Sequence, residues 1–418
     1  MTEEQLEARR IRGLEIADRM RIKRCGFNYL VPSSSGKSKY EVDPDKGWCQ
    51  CPDHEERGVV CKHIHAVRIV LERQENADGS VTETVEITER IQRKTYPQNW
   101  TAYNKAQTNE KRHFRELLGE LTDTIPTVQP ARGRRRVPMS DAIFAATFKV
   151  YSGLSARRFS TDLKEAHQMG YTTRPIHFNS VLRGLESPKV TGYLTRLIHL
   201  SATPLKTIET DFAVDSSGFS TKRFLRWYDE KYGSLRKRAE FVKCHLMCGV
   251  RTNVVTAVEI GGNPGDITHL PSLLETTTQF FDVEEVSADK AYLSRAVVKL
   301  VNDHGATPLI PMKRGSTVKR SDDRTWKRIY SHFHYQQDDF LRRYHKRSNV
   351  ESTFSMIKAK FGDSLRSKSD TAMHNEVLCK VLCHNISRVI HAAYELGIVP
   401  VFDRRDLEQP GSLPTCLA

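Results

Sequence analysis

The second half of the chain alternates between two hydrophobic periods, and this alternation predicts a mixed sheet with helices on its faces. Five segments have the composition and period of strands, namely KTIETDFAVDSSGF, EFVKCHLMCGV, NVVTAVEIGG, VEEVSADK and ATPLIPMK, all within residues 206–313. Two segments with helical spacing, THLPSLLETTTQFF and LSRAVVKLVNDHG, separate the last three strands. The first three strands can pair antiparallel because they follow one another directly. The pattern therefore predicts an α/β domain.

The first half of the chain has shorter and more varied elements. A charged helical pattern leads into GFNYLVPSSSGKSKYEVDPDKGWCQCP, which predicts a β-hairpin around a Ser/Gly-rich turn, entering a Cys-rich loop. A helix is predicted from Lys62, and residues 75–135 are polar, ending in a basic arm with Arg132, Arg134, Arg135 and Arg136. Three helical segments within 140–186 fit either a helix-turn-helix unit that contacts DNA or a plain helical connector.

The end of the chain is predicted to be helical. A polar stretch at 314–328 separates the sheet from a long helical tract over about 336–361, and a final helix covers 375–397. These patterns divide the chain into a small module at 1–75, a linker with a basic arm at 76–137, a helical region at 138–205, an α/β domain at 206–375 and a C-terminal helix with a tail at 376–418.

Charge and cysteine usage narrow the class of protein. The 418 residues include 65 Lys and Arg against 51 Asp and Glu, so the formal net charge is +14, which favours a polyanionic partner such as nucleic acid. The chain has no run of 18 apolar residues and no export signal, so a cytoplasmic, nucleoid-associated protein without a membrane partner is expected. Nine cysteines in a chain of this length indicate thiols or metal ligands rather than a disulfide framework.

Three of the cysteines and one histidine have the spacing of a metal site. In WCQCPDHEERGVVCKHIHAV, Cys49 and Cys51 are followed by Cys61 and His63. Three thiolates and one imidazole form the closed, tetrahedral ligand set of a structural Zn²⁺ site. His54 and His65 are alternative ligands. With a hairpin before it and a helix after it, the motif at about 27–72 resembles the SWIM zinc finger, a module of nucleic-acid-associated proteins.

Two aspartates occupy corresponding positions on predicted strands. Asp215 follows an apolar run in FAVDSSGF, where the chain is expected to leave the sheet for a Ser/Gly turn, and Asp289 occupies the same setting in VSADKAY. If the first and fourth strands are neighbours, the two carboxylates meet at one edge of the sheet. Such a pair is a natural ligand set for Mg²⁺ or Mn²⁺, although strand-end aspartates also commonly cap the next turn.

A third carboxylate lies on the predicted helix YHKRSNVESTFSMIK. At about 100° per residue, Tyr344, Arg347 and Lys358 fall within roughly 40° of Glu351 around the helix. An adjoining apolar stripe of Val350, Phe354, Ile357 and Phe361 would let this helix pack on the sheet beside that face. The pattern predicts a helix that presents one acid among basic groups.

The spacing Y-x2-R-x3-E-x6-K, read from Tyr344 to Lys358, resembles the YREK signature of DDE transposases from bacterial and archaeal insertion sequences. VDSSGF, SADKAY, RWYDEKYG and the K-x-H of VKCHL extend the resemblance over about 205–390. It implies a ribonuclease H-like fold, with Asp215, Asp289 and Glu351 as the catalytic residues that hold Mg²⁺ or Mn²⁺. The large β-rich insertion that some relatives have at this point is absent between Asp289 and Glu351.

The same resemblance implies DNA cleavage at element ends and strand transfer into target DNA, by a homodimer or higher oligomer. Arg347, Lys358 and Tyr344 are expected to contact DNA; the alternative for Arg347 is an ion pair with Glu351 one turn later in the free protein, and both contacts can hold at different stages. In TKRFLRWYDEKYGSLRKRAEFVK, basic residues alternate with aromatic ones, which predicts further DNA contacts for Arg226, Trp227 and Arg236, a plain basic hairpin being the alternative.

Two other functions fit the same features. A zinc-dependent DNA-binding regulator with an inactive transposase-derived domain would bind DNA and never cut it. A ribonuclease H-like repair nuclease would cut branched DNA without joining ends.

Overall fold

The computed structural model describes residues 3–20, 22–25, 27–33, 38–75, 99–126, 136–221, 241–261, 265–318 and 323–402. It divides the chain into two compact units, Met1–Tyr96 and Pro97–Ala418. No helix in the described ranges is both long and apolar enough to cross a membrane.

The described part of the N-terminal unit contains a four-stranded antiparallel sheet and three helices. Its strands are β1 (Lys23–Cys25), β2 (Asn28–Pro32), β3 (Lys39–Asp43) and β4 (Trp48–Cys49), and its helices are α1 (Glu3–Arg19), α2 (Pro52–Glu55) and α3 (Lys62–Glu75). The pairing of Val31 with Tyr40 confirms the predicted hairpin, whose turn at 34–37 lies outside the described residues. Helix α1 approaches α3 closely at Gly13, where a Cβ atom would lie 2.7 Å from His65 Cβ.

The second unit is built on a five-stranded mixed sheet. Its strands are β5 (Asp211–Ser220), β6 (Phe241–Gly249), β7 (Val255–Ile260), β8 (Glu285–Ala288) and β9 (Thr307–Leu309), in the spatial order β7-β6-β5-β8-β9. The first three are antiparallel, and β8 and β9 run parallel to β5. All five predicted strands are confirmed, and the topology is consistent with a ribonuclease H-like fold.

Eleven helices of the second unit fall within the described residues. They are α4 (Trp100–Asp123), α5 (Met139–Ser152), α6 (Ser160–Gln168), α7 (Phe178–Leu185), α8 (Pro188–Ala202), α9 (Leu270–Thr278), α10 (Arg295–Asp303), α11 (Arg324–Tyr335), α12 (Gln337–Tyr344), α13 (Ser348–Phe361) and α14 (Asp370–Leu396). Helix α14 packs against α4, α5 and α8, and α8 packs against β7. These elements share one hydrophobic core with the sheet.

Three features of these helices differ from the pattern predicted from sequence. Helix α4 lies in the segment expected to be a linker, and its buried Phe114, Leu118 and Leu121 place it in the core. Helix α11 begins at Arg324, inside the expected polar separator, and continues to Tyr335. The long helical tract over 336–361 is not one α-helix, because a 3₁₀ turn, His345–Arg347, interrupts it between α12 and α13.

Candidate active site and metal centre

Asp215 and Asp289 lie at neighbouring positions on the sheet. The parallel ladder of β5 with β8 ends at the pair Val214–Ala288, so each aspartate comes one residue after the last pair. Asp215 Oδ1 accepts a hydrogen bond of 2.8 Å from the Ser216 amide, and Asp289 Oδ1 accepts one of 2.6 Å from the Lys290 amide. The two strands are therefore neighbours, which was the condition for the aspartates to meet, and both aspartates lie where the β5–β8 ladder ends.

The expected turn after Asp215 is wrong. Strand β5 continues through the Ser-Ser-Gly segment to Ser220, because these residues pair antiparallel with β6, for example Ser216 with His245. Gly218 suits this pairing, since a Cβ atom there would lie only 3.1 Å from Phe241 Cβ. Only the parallel partner β8 ends, so Asp215 projects from the middle of a long strand.

Glu351 is carried on the first turn of α13, which packs on β5 and β6. Val350, Phe354 and Ile357 are buried, as the apolar stripe predicts. The side chain of Glu351 itself is 58% exposed. The helix thus holds a solvent-facing carboxylate beside the strand that carries Asp215.

The basic members of the predicted face contact this edge of the sheet. Arg347 Nη1 lies 2.9 Å from Asp215 Oδ2, and its Nη2 lies 2.5 Å from Glu351 Oε1. Burial alone would lower the pKa of Arg347, but the neighbouring Tyr344, Asp215 and Glu351 raise it. The guanidinium therefore remains charged and bridges two of the three candidate metal ligands.

Lys358 and Tyr344 complete the face. Lys358 Nζ donates a hydrogen bond of 2.7 Å to Ser217 Oγ and lies 5.4 Å from the centre of the Phe219 ring. Tyr344 ends α12, and burial raises the pKa of its hydroxyl. Although the helix is interrupted at His345–Arg347, Arg347 and Lys358 both contact β5, and the Tyr344 hydroxyl lies beside Arg347.

A cleft of about 580 Å³ opens between β5 and α13, with Asp215, Glu351 and Lys358 on its walls. Asp363 also lines this cleft. The sequence did not single out Asp363, because a Gly-Asp pair after a helix predicts only a turn. The cleft offers carboxylates and one lysine to a ligand that enters it.

A second polar cluster lies on β6, at the K-x-H residues of the resemblance. Lys243 forms an ion pair with Asp266, and the His245 ring stacks on His269 with 3.8 Å between ring centroids. Burial, and then the adjacent His269, lower the pKa of His245 to about 4. Ser216 pairs with His245 across the strands, so this cluster adjoins the residue after Asp215.

The remaining predicted DNA contacts, Arg226, Trp227 and Arg236, lie outside the described residues, as do Arg132, Arg134 and Arg135 of the basic arm.

The cysteine cluster converges as the spacing predicts. The ligand atoms of Cys49, Cys51, Cys61 and His63 all lie within 4.8 Å of one another, and all four residues are buried. His63 Nδ1 is 3.8 Å from the sulfurs of both Cys49 and Cys61. Bond lengths of about 2.3 Å to sulfur and 2.0 Å to nitrogen put tetrahedral donors about 3.5–3.8 Å apart, so the four atoms fit a zinc ion.

The alternative ligands His54 and His65 do not join this cluster. His54 Nδ1 lies 2.8 Å from the Val59 carbonyl oxygen, and His65 faces α1 at Gly13. Hydrogen bonding from the Cys49 thiol lowers the pKa of Cys61 and raises that of Cys49, so the cluster favours a thiolate at Cys61.

The candidate catalytic carboxylates are spread more widely than the cysteine cluster. Among the described residues, the cysteine cluster is the one group of three or more Cys, His, Asp or Glu side chains whose ligand atoms all lie within 4.8 Å. Hard oxygen donors on Asp215, Asp289 and Glu351 nevertheless suit Mg²⁺ or Mn²⁺, and a pair of ions about 3.5–4 Å apart needs a wider ligand set than a single ion.

The sheet order, with acids at neighbouring strands and a third acid on a facing helix, is consistent with a ribonuclease H-like domain. Within this unit, residues 206–386 match the family model described as the transposase DDE domain. The match supports a DDE transposase, and with it a nuclease or transesterase that binds DNA and uses divalent metal ions. No curated protein matches the chain.

Proposed function

We propose that this protein is a transposase that cleaves DNA at the ends of an insertion sequence and joins those ends to target DNA. The observation that carries the proposal is the position of Asp215 and Asp289 where the parallel ladder of β5 and β8 ends, with Glu351 on the helix that packs on β5. The family match to residues 206–386 covers all three acids.

Asp215, Asp289 and Glu351 would hold the metal ions as the catalytic residues. Two divalent ions bound there would activate a water or a DNA 3′-OH and stabilise the leaving oxygen of an in-line displacement. Arg347 and Lys358 supply positive charge beside the cleft, where Arg offers a bidentate fork to a phosphate and Lys a point charge. Tyr344 can hydrogen-bond a phosphate or stack on a base.

The remaining parts of the proposal concern DNA recognition. The Y-x2-R-x3-E-x6-K spacing supports membership of the YREK group, and the cysteine cluster supports a SWIM-type finger that holds one structural Zn²⁺. Transposon-end recognition is assigned to the N-terminal half, namely the zinc module at 1–75, the basic arm at the end of the segment 76–137 and the helical region at 138–205. Catalysis is assigned to 206–375, followed by a C-terminal helix and tail at 376–418. The protein would act on nucleoid DNA as a homodimer or higher oligomer.

The experiment compares cleavage of duplexes that carry the element's terminal inverted repeats, in Mg²⁺ and in Mn²⁺. The wild type should cut and join these ends, and Asp215→Asn, Asp289→Asn and Glu351→Gln proteins should bind the same DNA without cutting it. Binding without cutting by the wild type in either metal would contradict the proposal and favour a regulatory protein. Cleavage of branched DNA without strand transfer would favour a repair nuclease.

A further inference from the structure

The guanidinium of Arg347 occupies the space between two of the proposed metal ligands. It bonds Asp215 Oδ2 at 2.9 Å through Nη1 and Glu351 Oε1 at 2.5 Å through Nη2. The side chain is 17% exposed and that of Asp215 is 24% exposed, so this ion pair is partly shielded from water. An arginine that only awaited DNA at the surface would not need to engage both acids.

A guanidinium and a divalent ion compete for the same carboxylate oxygens. Each lone pair that accepts a hydrogen bond from Arg347 is unavailable to a metal ion, and two cations in one partly buried place repel each other. Arg347 therefore supplies the positive charge that contacts Asp215 and Glu351 before any metal arrives.

The backbone at Arg347 is held independently of these two bonds. Lys346 Nζ lies 2.7 Å from Asp211 Oδ2, and Arg343 Nε lies 2.8 Å from Glu285 Oε1, so neighbouring residues tie the turn to β5 and β8. Val350 is fully buried one turn later. The Arg347 side chain can therefore change partner through rotation of its own torsions while the turn stays in place.

We propose that Arg347 is an exchangeable counter-ion of the catalytic site, which competes with divalent metal for Asp215 and Glu351 in the free protein and leaves them for a DNA phosphate. The inference rests on the proposed function, because it takes these acids to be metal ligands. Its consequence is positive coupling between DNA and metal: DNA that engages Arg347 frees the acids, and by linkage metal favours DNA to the same extent.

The test is a Mn²⁺ titration of the full, zinc-loaded chain without DNA, in which free Mn²⁺ is followed by electron paramagnetic resonance. The catalytic component is defined as the binding that an Asp215→Asn protein lacks. Arg347→Gln should tighten this component about tenfold, since it removes the competing cation. Lys346→Ala is the matched control, because it removes one positive charge from the adjacent residue, whose partners are Asp211 and Glu285. The Arg343–Glu285 ion pair still ties the turn to β8, so this variant should change the affinity less than twofold.

The outcomes separate the inference from the proposed function. Binding that depends on Asp215 but is not tightened by Arg347→Gln, or is tightened equally by Lys346→Ala, overturns the exchange alone. If neither the wild type nor any variant shows Mn²⁺ binding that depends on Asp215, both the exchange and the proposed function are overturned. Arg347→Lys, which keeps the charge but loses the fork, should fall between wild type and Arg347→Gln, and it serves if the Gln protein misfolds by circular dichroism.

A second titration tests the coupling, with a duplex of arbitrary sequence at low salt and the Asp215→Asn protein with the same DNA as the blank. The DNA should tighten Mn²⁺ binding several-fold in the wild type and less in Arg347→Gln. Equal tightening in both proteins, or none in the wild type, overturns the coupling.

Discussion

Loss of the cysteine cluster should unfold the N-terminal unit while the second unit stays folded. Cys49, Cys51 and Cys61 are themselves part of the hydrophobic core of the N-terminal unit, whose other members include Val31 and Val42. The core of the second unit is a separate cluster. A Cys49→Ser, Cys61→Ser protein therefore loses both its metal ligands and buried packing in a unit of fewer than a hundred residues.

The magnitude follows from the size of the unit. Structural zinc sites contribute about 10–16 kcal/mol of apparent binding free energy, whereas whole domains are stable by only about 5–15 kcal/mol. A small core cannot replace a contribution of that size. The N-terminal unit of the double variant should thus be unfolded at room temperature rather than merely less stable.

Hydrogen exchange followed by mass spectrometry on the full chain measures the unfolding of each unit separately. Peptides from β2, β3 and α3 should lose protection in the double variant, and peptides from β5 and β6 should keep it. The zinc content should fall from one ion per chain to none. Cys25→Ser is the matched control, since Cys25 lies on β1 outside the cluster and should retain both zinc and protection. Full protection in a double variant that holds no zinc would refute the reasoning.

Three further predictions concern the second unit. Phe354→Ala should lower the free energy of unfolding by about 3–5 kcal/mol in urea titrations, because its ring is 5% exposed under α13, and a loss below 1 kcal/mol would contradict that packing. Lys358→Ala should reduce the slope of log affinity for DNA against log salt by about one, and an unchanged slope would exclude a phosphate contact. Burial lowers the pKa of Lys380 to about 8, although its ammonium donates to the carbonyl oxygens of Gly362 and Ser364. The unfolded chain keeps this proton up to about pH 10.4, whereas the folded chain loses it near pH 8. The free energy of unfolding of the wild type relative to Lys380→Met should therefore rise by on the order of 2–3 kcal/mol between pH 8 and 10.4 in parallel urea titrations. A pH-independent difference between the two proteins would refute the lowered pKa.

The sheet was predictable because its signals are local and strong. Apolar runs of strand length mark β5 to β9, and the direct succession of the first three strands predicts their antiparallel pairing. The adjacency of β5 and β8, which places Asp215 beside Asp289, could only be stated as a condition, because strand neighbours are set by tertiary packing. Gly218 similarly suggests a turn in sequence but serves the close approach of Phe241.

The helices were predicted less well, for identifiable reasons. Helix α4 buries Phe114, Leu118 and Leu121 on one side, but the polar residues between them dominate the local composition. No proline or glycine indicates the interruption of the helix at His345–Arg347. Arg343 and Lys346 form ion pairs with Glu285 and Asp211, which are distant from them in sequence. The stabilisation that these ion pairs give to the 3₁₀ turn could therefore not be predicted.

The helix that carries Glu351 is also fastened at its other end. Lys360 Nζ lies 2.6 Å from both carboxylate oxygens of the buried Glu110 on α4, and Glu110 accepts a hydrogen bond of 2.8 Å from the Tyr151 hydroxyl on α5. Two helices outside the segment matched by the family model therefore help to fix the orientation of α13. The unit of homology and the unit of folding differ in this protein. A fragment cut at 206–386 would divide α14, expose the faces that α4 and α5 cover, and release one end of the helix that positions Glu351.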